Sequence, residues 1–381
     1  MQHRVSDLFH LQMGKTPSRN QLEYWENGSN KWISISDLSN CSMYTAETKE
    51  AITDCAVRET NIRLVPKNTV IMSFKLSIGK TAITSEPVYT NEAIMAFINK
   101  GEELVLPEFL YYQLLSKDWG STGNRAVMGT TLNKASLSQM KIYVPSLQEQ
   151  RGIVQVLGHI DSQLKRTNES VNKLDDLVKS RFVEMFGDLE PSVPISEACI
   201  EFADGDWIEG KDQSESGIRL IQTGNIGRGV FRDKANHARY ISEQTFEQLS
   251  CHEVFPGDIL ISRLPDPVGR ACIVPGNACR SITAVDCSII RLKEEWDSSF
   301  FVSCTMTEQY ERQIKSYLTG TTRKRISRSN LGKVKIPAPP LALQQEFAAF
   351  VAQVDKLRFE TQQQIDKLET LKKSQMQEYF G

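Results

Sequence analysis

The densest run of charge in this chain is GTTRKRISRSNLGKVK, from Gly320 to Lys335, which carries Arg323, Lys324, Arg325, Arg328, Lys333 and Lys335 and no acid. Cations interleaved with Thr, Ser and Asn suit a DNA groove. Lys and Arg meet phosphates, Arg forks onto guanine O6 and N7, and Asn does the same for adenine. A solvated basic surface is the competing account of the same residues. The candidate contacts in this half are Thr322, Arg323, Lys324, Arg325 and Arg328, joined by Arg263 and Arg270 from a loop upstream. In the first half the candidates are thinner: Lys15, Arg19, Lys75, Lys80, Arg125 and Lys134.

Other chemistries find less support. GKT occurs twice, at Gly14-Lys15-Thr16 and Gly79-Lys80-Thr81, but the first glycine of a phosphate-binding loop would fall on Phe9 and Phe74, and Pro17 further spoils the first. That loop needs glycine there so that backbone amides can wrap the anion. GNIGRG, around Gly224, Gly227 and Gly229, lacks the full dinucleotide spacing and reads as a turn. The histidines, His3, His10, His159, His237 and His252, form no visible triad or metal-ligand pattern, although triads are set by geometry rather than order. Pro265-Asp266 has no Glu-x-Lys at useful range to make a nuclease site, and no Asn-Pro-Pro-Tyr run of the methyltransferase type is present. Cys272, Cys279 and Cys287 are too loosely spaced for zinc, so the eight cysteines read as reduced thiols. No catalytic residue and no metal ligand is nominated. The chain is expected to be non-catalytic and to hold no cofactor.

A formal net charge of -2 argues against indiscriminate coating of nucleic acid and leaves room for a local basic face. No apolar run reaches the roughly 18 residues of a membrane span, and the start has no signal-peptide segment, so a soluble cytosolic protein is expected.

The elements that must position these residues come in two copies. A shift of 194 pairs Leu147 with Leu341, Gln150 with Gln344, Asp161 with Asp355, Lys173 with Lys367 and Phe186-Gly187 with Phe380-Gly381, without a gap from Pro145 to Gly187. Upstream, with a slightly smaller shift, GTTLNKASLSQMKIYVP matches GTTRKRISRSNLGKVKIP, IGKTAI matches VGRACI, and Ser73 pairs with Ser262 or Arg263. Each copy opens with short β-branched runs bounded by Gly, Pro and Asn, which read as strands and turns. Each then reaches a Pro and a long Pro-free stretch.

In the first such stretch Ile153, Leu157, Ile160, Leu164, Val171, Leu174, Val178 and Met185 fall on alternating steps of three and four, with Thr167 and Arg181 in two gaps. The second puts Phe347, Val351, Val354, Ile365, Leu368 and Tyr379 on matching positions, with Leu357, Leu371 and Met376 close beside them. A helix of about 40 residues is about 60 Å long, a poor fit inside a domain of some 140 residues with a radius near 14 Å. The expectation is an α+β protein: two similar globular domains, 1–144 and 188–336, and two long antiparallel helices, 145–187 and 337–381, forming a coiled-coil rod with pseudo-two-fold symmetry.

GKTPSR and YWENGSNKWISISDL near the start, GTT before a strand ending in Pro, VPSLQEQRGIV and APPLALQQEF opening the helices, and MFGD or YFG closing them together resemble the specificity subunit of type I restriction-modification systems. The resemblance covers nearly the whole chain and recurs in both halves. It implies two target recognition domains, each reading one half of an asymmetric bipartite site in double-stranded DNA, and two helices that act as a ruler. It also implies docking of two methyltransferase subunits, which use S-adenosylmethionine to methylate adenine, and of restriction subunits, with no catalytic centre in this chain. The helices' outward faces and their ends, including Phe186, Gly187, Phe380 and Gly381, are the expected docking positions; equally, the Phe-Gly ends simply close a helix with glycine as cap. PPLALQQ in place of PSLQEQ leaves the start of the second helix in doubt. A coiled-coil scaffold whose heads bind proteins, and an autonomous nucleic-acid enzyme, are the readings from other classes.

Overall fold

The computed structural model describes residues 1–45, 47–75, 77–101, 104–119, 132–276, 279–321 and 323–381. The chain forms two compact units, Met1–Asn168 with Gln363–Gly381, and Glu169–Gln362. The division falls inside the two long helices, not at their ends, because each helix buries one portion of its apolar stripe in each unit.

The central strands explain why both halves carry uninterrupted apolar runs. Val70–Ser73 is buried along its whole length. Val70 and Met72 face a core with Phe9, Phe97, Phe109 and Leu157, while Ile71 faces a second core with Ile33, Leu38 and Val88. A strand covered on both faces loses the polar alternation of a half-buried one. Its sheet has the order Phe9–Met13, Ile94–Asn99, Val70–Ser73, Thr81–Ile83, all antiparallel. A smaller sheet sets Asn30–Ile33 between antiparallel Glu50–Ile52 and parallel Tyr89–Thr90.

The second unit repeats the plan. Its sheet runs Cys199–Asp204, Cys287–Leu292, Ile259–Ser262, Ala271–Ile273, and its smaller sheet again contains one parallel pair, Ile218–Ile221 with Ser281–Thr283. Ser73 and Ser262 hold the same place. Each accepts the amide of a positive-φ glycine six or seven residues on, Gly79 at 3.0 Å and Gly269 at 2.8 Å. The matched pair of the repeat is therefore Ser73 with Ser262, and Lys80 matches Arg270.

The helices run Leu147–Phe186 and Leu341–Phe380, both 40 residues and offset at both ends by the shift of the sequence repeat. Ser146 and Glu149 form a capping box at the first start, the Ser146 amide donating to Glu149 Oε2 at 2.9 Å. At the second start Pro340 replaces the serine, and its carbonyl accepts the amides of Leu343 and Gln344. The change of residue does not move the helix start.

One interaction accounts for the repeated glutamine. Gln150, fully buried, accepts the Leu106 amide and donates to the Leu104 and Pro145 carbonyls. Gln344, 2% exposed, accepts the Asp297 amide and donates to Glu295 and Pro339. In both units it ties the helix start to the turn before a shorter helix, Pro107–Leu115 or Ser298–Cys304.

The stripe read from the sequence is turned inward over its length, including the polar gap residues Thr167 and Arg181. On the second helix Phe347, Val354 and Ile365 are buried, but Leu357 and Leu371 are half exposed; Arg358 takes the inward position and pairs with Asp175 of the first helix. In the second unit Phe182 lies 5.5 Å from Phe347 and Arg181 pairs with Glu346, so rising numbers on one helix meet falling numbers on the other. The helices are antiparallel.

Phe186 is 2% exposed and stacks its edge against Phe300 and Phe347; Phe380 packs on Phe109. Phe186 is thus withdrawn from the surface, whereas Phe380 is only partly buried. The glycines do close the helices, which end at Phe186 and Phe380, and a Cβ would lie 2.5 Å from the Val183 carbonyl at Gly187 and 2.3 Å from the Gln377 carbonyl at Gly381. Gly187 and Gly381 do not adopt left-handed backbone, and their amides simply continue the helical ladder to Val183 and Gln377.

Candidate nucleic-acid interface

The basic segment of the second unit is a hairpin held on the end of the central sheet. Thr319 and Arg325 exchange backbone hydrogen bonds at 2.9 Å, and Gly320, at φ 92°, makes the turn where a Cβ would lie 2.5 Å from the Arg323 carbonyl. Ile326, 1% exposed, anchors the hairpin and donates its amide to the Arg263 carbonyl at 3.2 Å. With the backbone fixed on both sides, Arg323, Lys324 and Arg325 are left exposed, and none forms an ion pair among the described residues. Thr322 lies outside the described residues. Arg328, also exposed, donates to the Phe202 carbonyl at 3.1 Å and approaches Asp204 at 3.7 Å.

Arg263 and Arg270 are engaged inside the protein. Arg263 pairs with Asp204 at 3.3 Å and donates to the Val285 carbonyl. Arg270 spends four hydrogen bonds on carbonyls: Nε on Ile226, Nη1 on Pro265 and Pro267, and Nη2 on Thr223. Burial, followed by the nearby Arg232 charge, lowers its pKa. Its structural role is to staple the loop after Ser262 to the loop before Arg232. An open groove beside that staple is lined by Leu264, Pro265 and Asp266 on one side and Thr321, Arg323 and Lys324 on the other.

In the first unit the matching loop presents Lys75 and Lys80 outward; Lys75 sits 5.5 Å over the Phe74 ring, and neither lysine forms an ion pair among the described residues. Lys134, at the start of the short helix Lys134–Gln139, is also exposed. Lys15 donates to the Thr60 carbonyl. Arg19 forks onto Glu50 and stacks over Trp25 at 3.8 Å. Arg125 lies outside the described residues.

The two GKT glycines serve packing. A Cβ on Gly14 would lie 2.2 Å from the Thr90 carbonyl, and one on Gly205 would lie 2.4 Å from the Thr283 and Ala284 carbonyls. The next residues, Lys15 and Asp206, donate their amides to Thr90 and Thr283. Gly79 presses on Trp119, as Gly269 does on Ile314 and Tyr310.

Sequence reasoning passed over Arg228, Arg232 and Lys234. The GNIGRG turn and the VFRDK that follows it carry these three cations, Arg232 acts on Arg270, and buried Asn225 fixes the segment by donating to the Arg232 carbonyl at 2.9 Å. Arg228 is paired with Glu311. The density of cations within a Gly-rich turn was the available signal.

Among the described residues no group of His, Cys, Asp or Glu is placed to hold a metal ion, and no helix is long and apolar enough to cross a membrane. All eight cysteines are free thiols.

The chain is 30% identical over 192 residues to the type I restriction enzyme MjaIX specificity subunit of Methanocaldococcus jannaschii, covering 49% of this chain and 44% of that protein. It is 30% identical over 193 residues to the EcoR124I/EcoR124II specificity subunit of Escherichia coli, covering 48% and 46%. The matched stretch thus spans under half of each relative's own length. A solved structure from work on the assembly and conformational transition of the type I R-M system superposes with a TM-score of 0.57 at 16% identity, covering 100% of this chain and 97% of that one, a likeness of fold. The model of the type I restriction modification DNA specificity domain matches residues 1–175 and again 200–370, one copy for each repeat of the sheets and glutamine-tied helices, and the chain belongs to that family.

Proposed function

We propose that this chain is the DNA-reading subunit of a type I restriction-modification complex working in the cytosol, with each unit recognising one half of a bipartite, asymmetric site. The observation that carries this reading is one duplicated scaffold with different side chains at equivalent loop positions: Lys15 against Asp206, Lys80 against Arg270, and a hairpin holding Arg323, Lys324 and Arg325 in the second unit. Two readers built on one frame give two sequence preferences, with phosphate contacts setting register and base contacts setting specificity.

The two helices, each continuous through portions of both units, fix the gap between half-sites, since B-DNA advances 3.4 Å per base pair. Their outward faces present repeated surfaces to two methyltransferase subunits, which bind S-adenosylmethionine and modify adenine. Restriction subunits join that core, and this chain itself is non-catalytic.

The test is to co-express the chain with the methyltransferase subunit of its own host in an unmethylated strain and to map modified adenines. A split motif with a fixed unspecified gap, absent without this chain, is the expected result. No modified site despite a stable complex would reduce the chain to a scaffold.

A further inference from the structure

Pro265 and Asp266 line the groove opposite the basic hairpin. Asp266 is exposed, and among the described residues it accepts no hydrogen bond and forms no ion pair, although it shares its groove with Arg323 and Lys324. Its loop is held from behind: Arg270 Nη1 donates to the carbonyls of both flanking prolines, at 3.0 Å to Pro265 and 2.8 Å to Pro267. Each proline also fixes its own φ, so little conformational freedom remains to be lost on binding. A carboxylate is thus presented on a tied loop, with no protein hydrogen bond or ion pair among the described residues, in the wall of a groove whose other wall is basic.

A carboxylate in such a place is repelled by phosphates and can only accept hydrogen bonds. On duplex DNA the donors that reach the major groove are the exocyclic amino groups, N4 of cytosine and N6 of adenine. We propose that Asp266 is a specificity-determining residue of the second unit, accepting a hydrogen bond from a base amino group while Arg323 and Lys324 hold the adjacent backbone. This rests on the DNA-reading function proposed above. The matching loop of the first unit, FKLSIGK, has no acid, so the device belongs to one half-site alone.

The test uses the full chain in complex with its methyltransferase partner and a pool of duplexes randomised across the bound site. Asp266→Ala flattens the preference at one position of one half-site, by roughly tenfold to a hundredfold, and leaves the other half-site and the gap unchanged. At that position a duplex lacking the amino group, purine in place of adenine or 2-pyrimidinone in place of cytosine, weakens wild type and leaves Asp266→Ala unaffected; the analogue that does so names the base. Asp266→Asn, which keeps the shape and can donate to a keto oxygen, shifts the preference there. A thermal melt like that of wild type shows the loop still folded.

Preferences unchanged at every position, with uniformly tighter binding by both variants, would overturn the assignment and leave Asp266 a mere repeller of phosphate. Wild-type complex that binds every sequence alike would overturn the DNA-reading function itself, and this assignment with it.

Discussion

Gln150 and Gln344 do one job twice, whereas Lys80 and Arg270 occupy one place and do two jobs. Each glutamine is buried and satisfies an amide and two carbonyls at the start of a long helix. Lys80 points to solvent from a short loop, while Arg270 turns inward and ties two loops together. The contrast separates scaffold from reader. Where both units need the same backbone groups satisfied, the copies have stayed alike; where each presents its own surface, residue type and role have both changed.

The sharpest way to break this comparison is Gln150→Leu and Gln344→Leu. Each removes the side-chain partner of an amide and two carbonyls that are mostly part-buried, so the low end of about 1–3 kcal/mol for each group applies and about 3 kcal/mol is expected from either. Denaturant titration should show losses of similar size in the two variants. A large loss in one and none in the other would end the claim of a shared scaffold.

Arg270→Met and Lys80→Met test the diverged pair. Loss of the Arg270 staple should cost about 2–4 kcal/mol, since hydrogen bonds from a charged donor are worth about 1.5–3 kcal/mol and several go at once. Lys80→Met should stay within about 0.5 kcal/mol, as exposed substitutions do. Equal costs by thermal melting would mean that the two positions are not structurally distinct.

The smallest contrast lies on the short helices. Tyr112 Oη donates to Asp161 at 2.8 Å, and burial, reinforced by that hydrogen bond, raises its pKa well above the ordinary tyrosine range. At the equivalent position the Ser303 hydroxyl donates to the Ser299 carbonyl of its own helix. Tyr112→Phe should cost about 1 kcal/mol and Ser303→Ala less than half of that, read by the same melts.

Much of the scaffold was legible in the sequence. The repeat gave the register of both helices because burial acts on every third or fourth residue and leaves a periodic trace. The apolar runs of the central strands were equally plain, since two-sided burial removes polar alternation. Leu357 and Leu371 were less legible: a slight drift of phase puts them beside the stripe in sequence and outside it in space, with Arg358 inside. The reader was harder still. Arg263 and Arg270 look like Arg323 in a string of letters. Only folding shows that Arg263 and Arg270 bond internal groups while Arg323 forms no ion pair among the described residues. Likewise, Gly14 looked like a broken phosphate loop because the carbonyl it accommodates, that of Thr90, lies far along the chain.

The most direct test of two independent readers on one frame is to map modified adenines again with Arg323→Ala and Lys324→Ala combined in the full complex. Unpaired surface cations carry little folding energy, so the complex should assemble normally. One half of the split motif should lose definition or occupancy while the other half and the gap between them stay as they were. Both halves changing together, or neither changing, would contradict it.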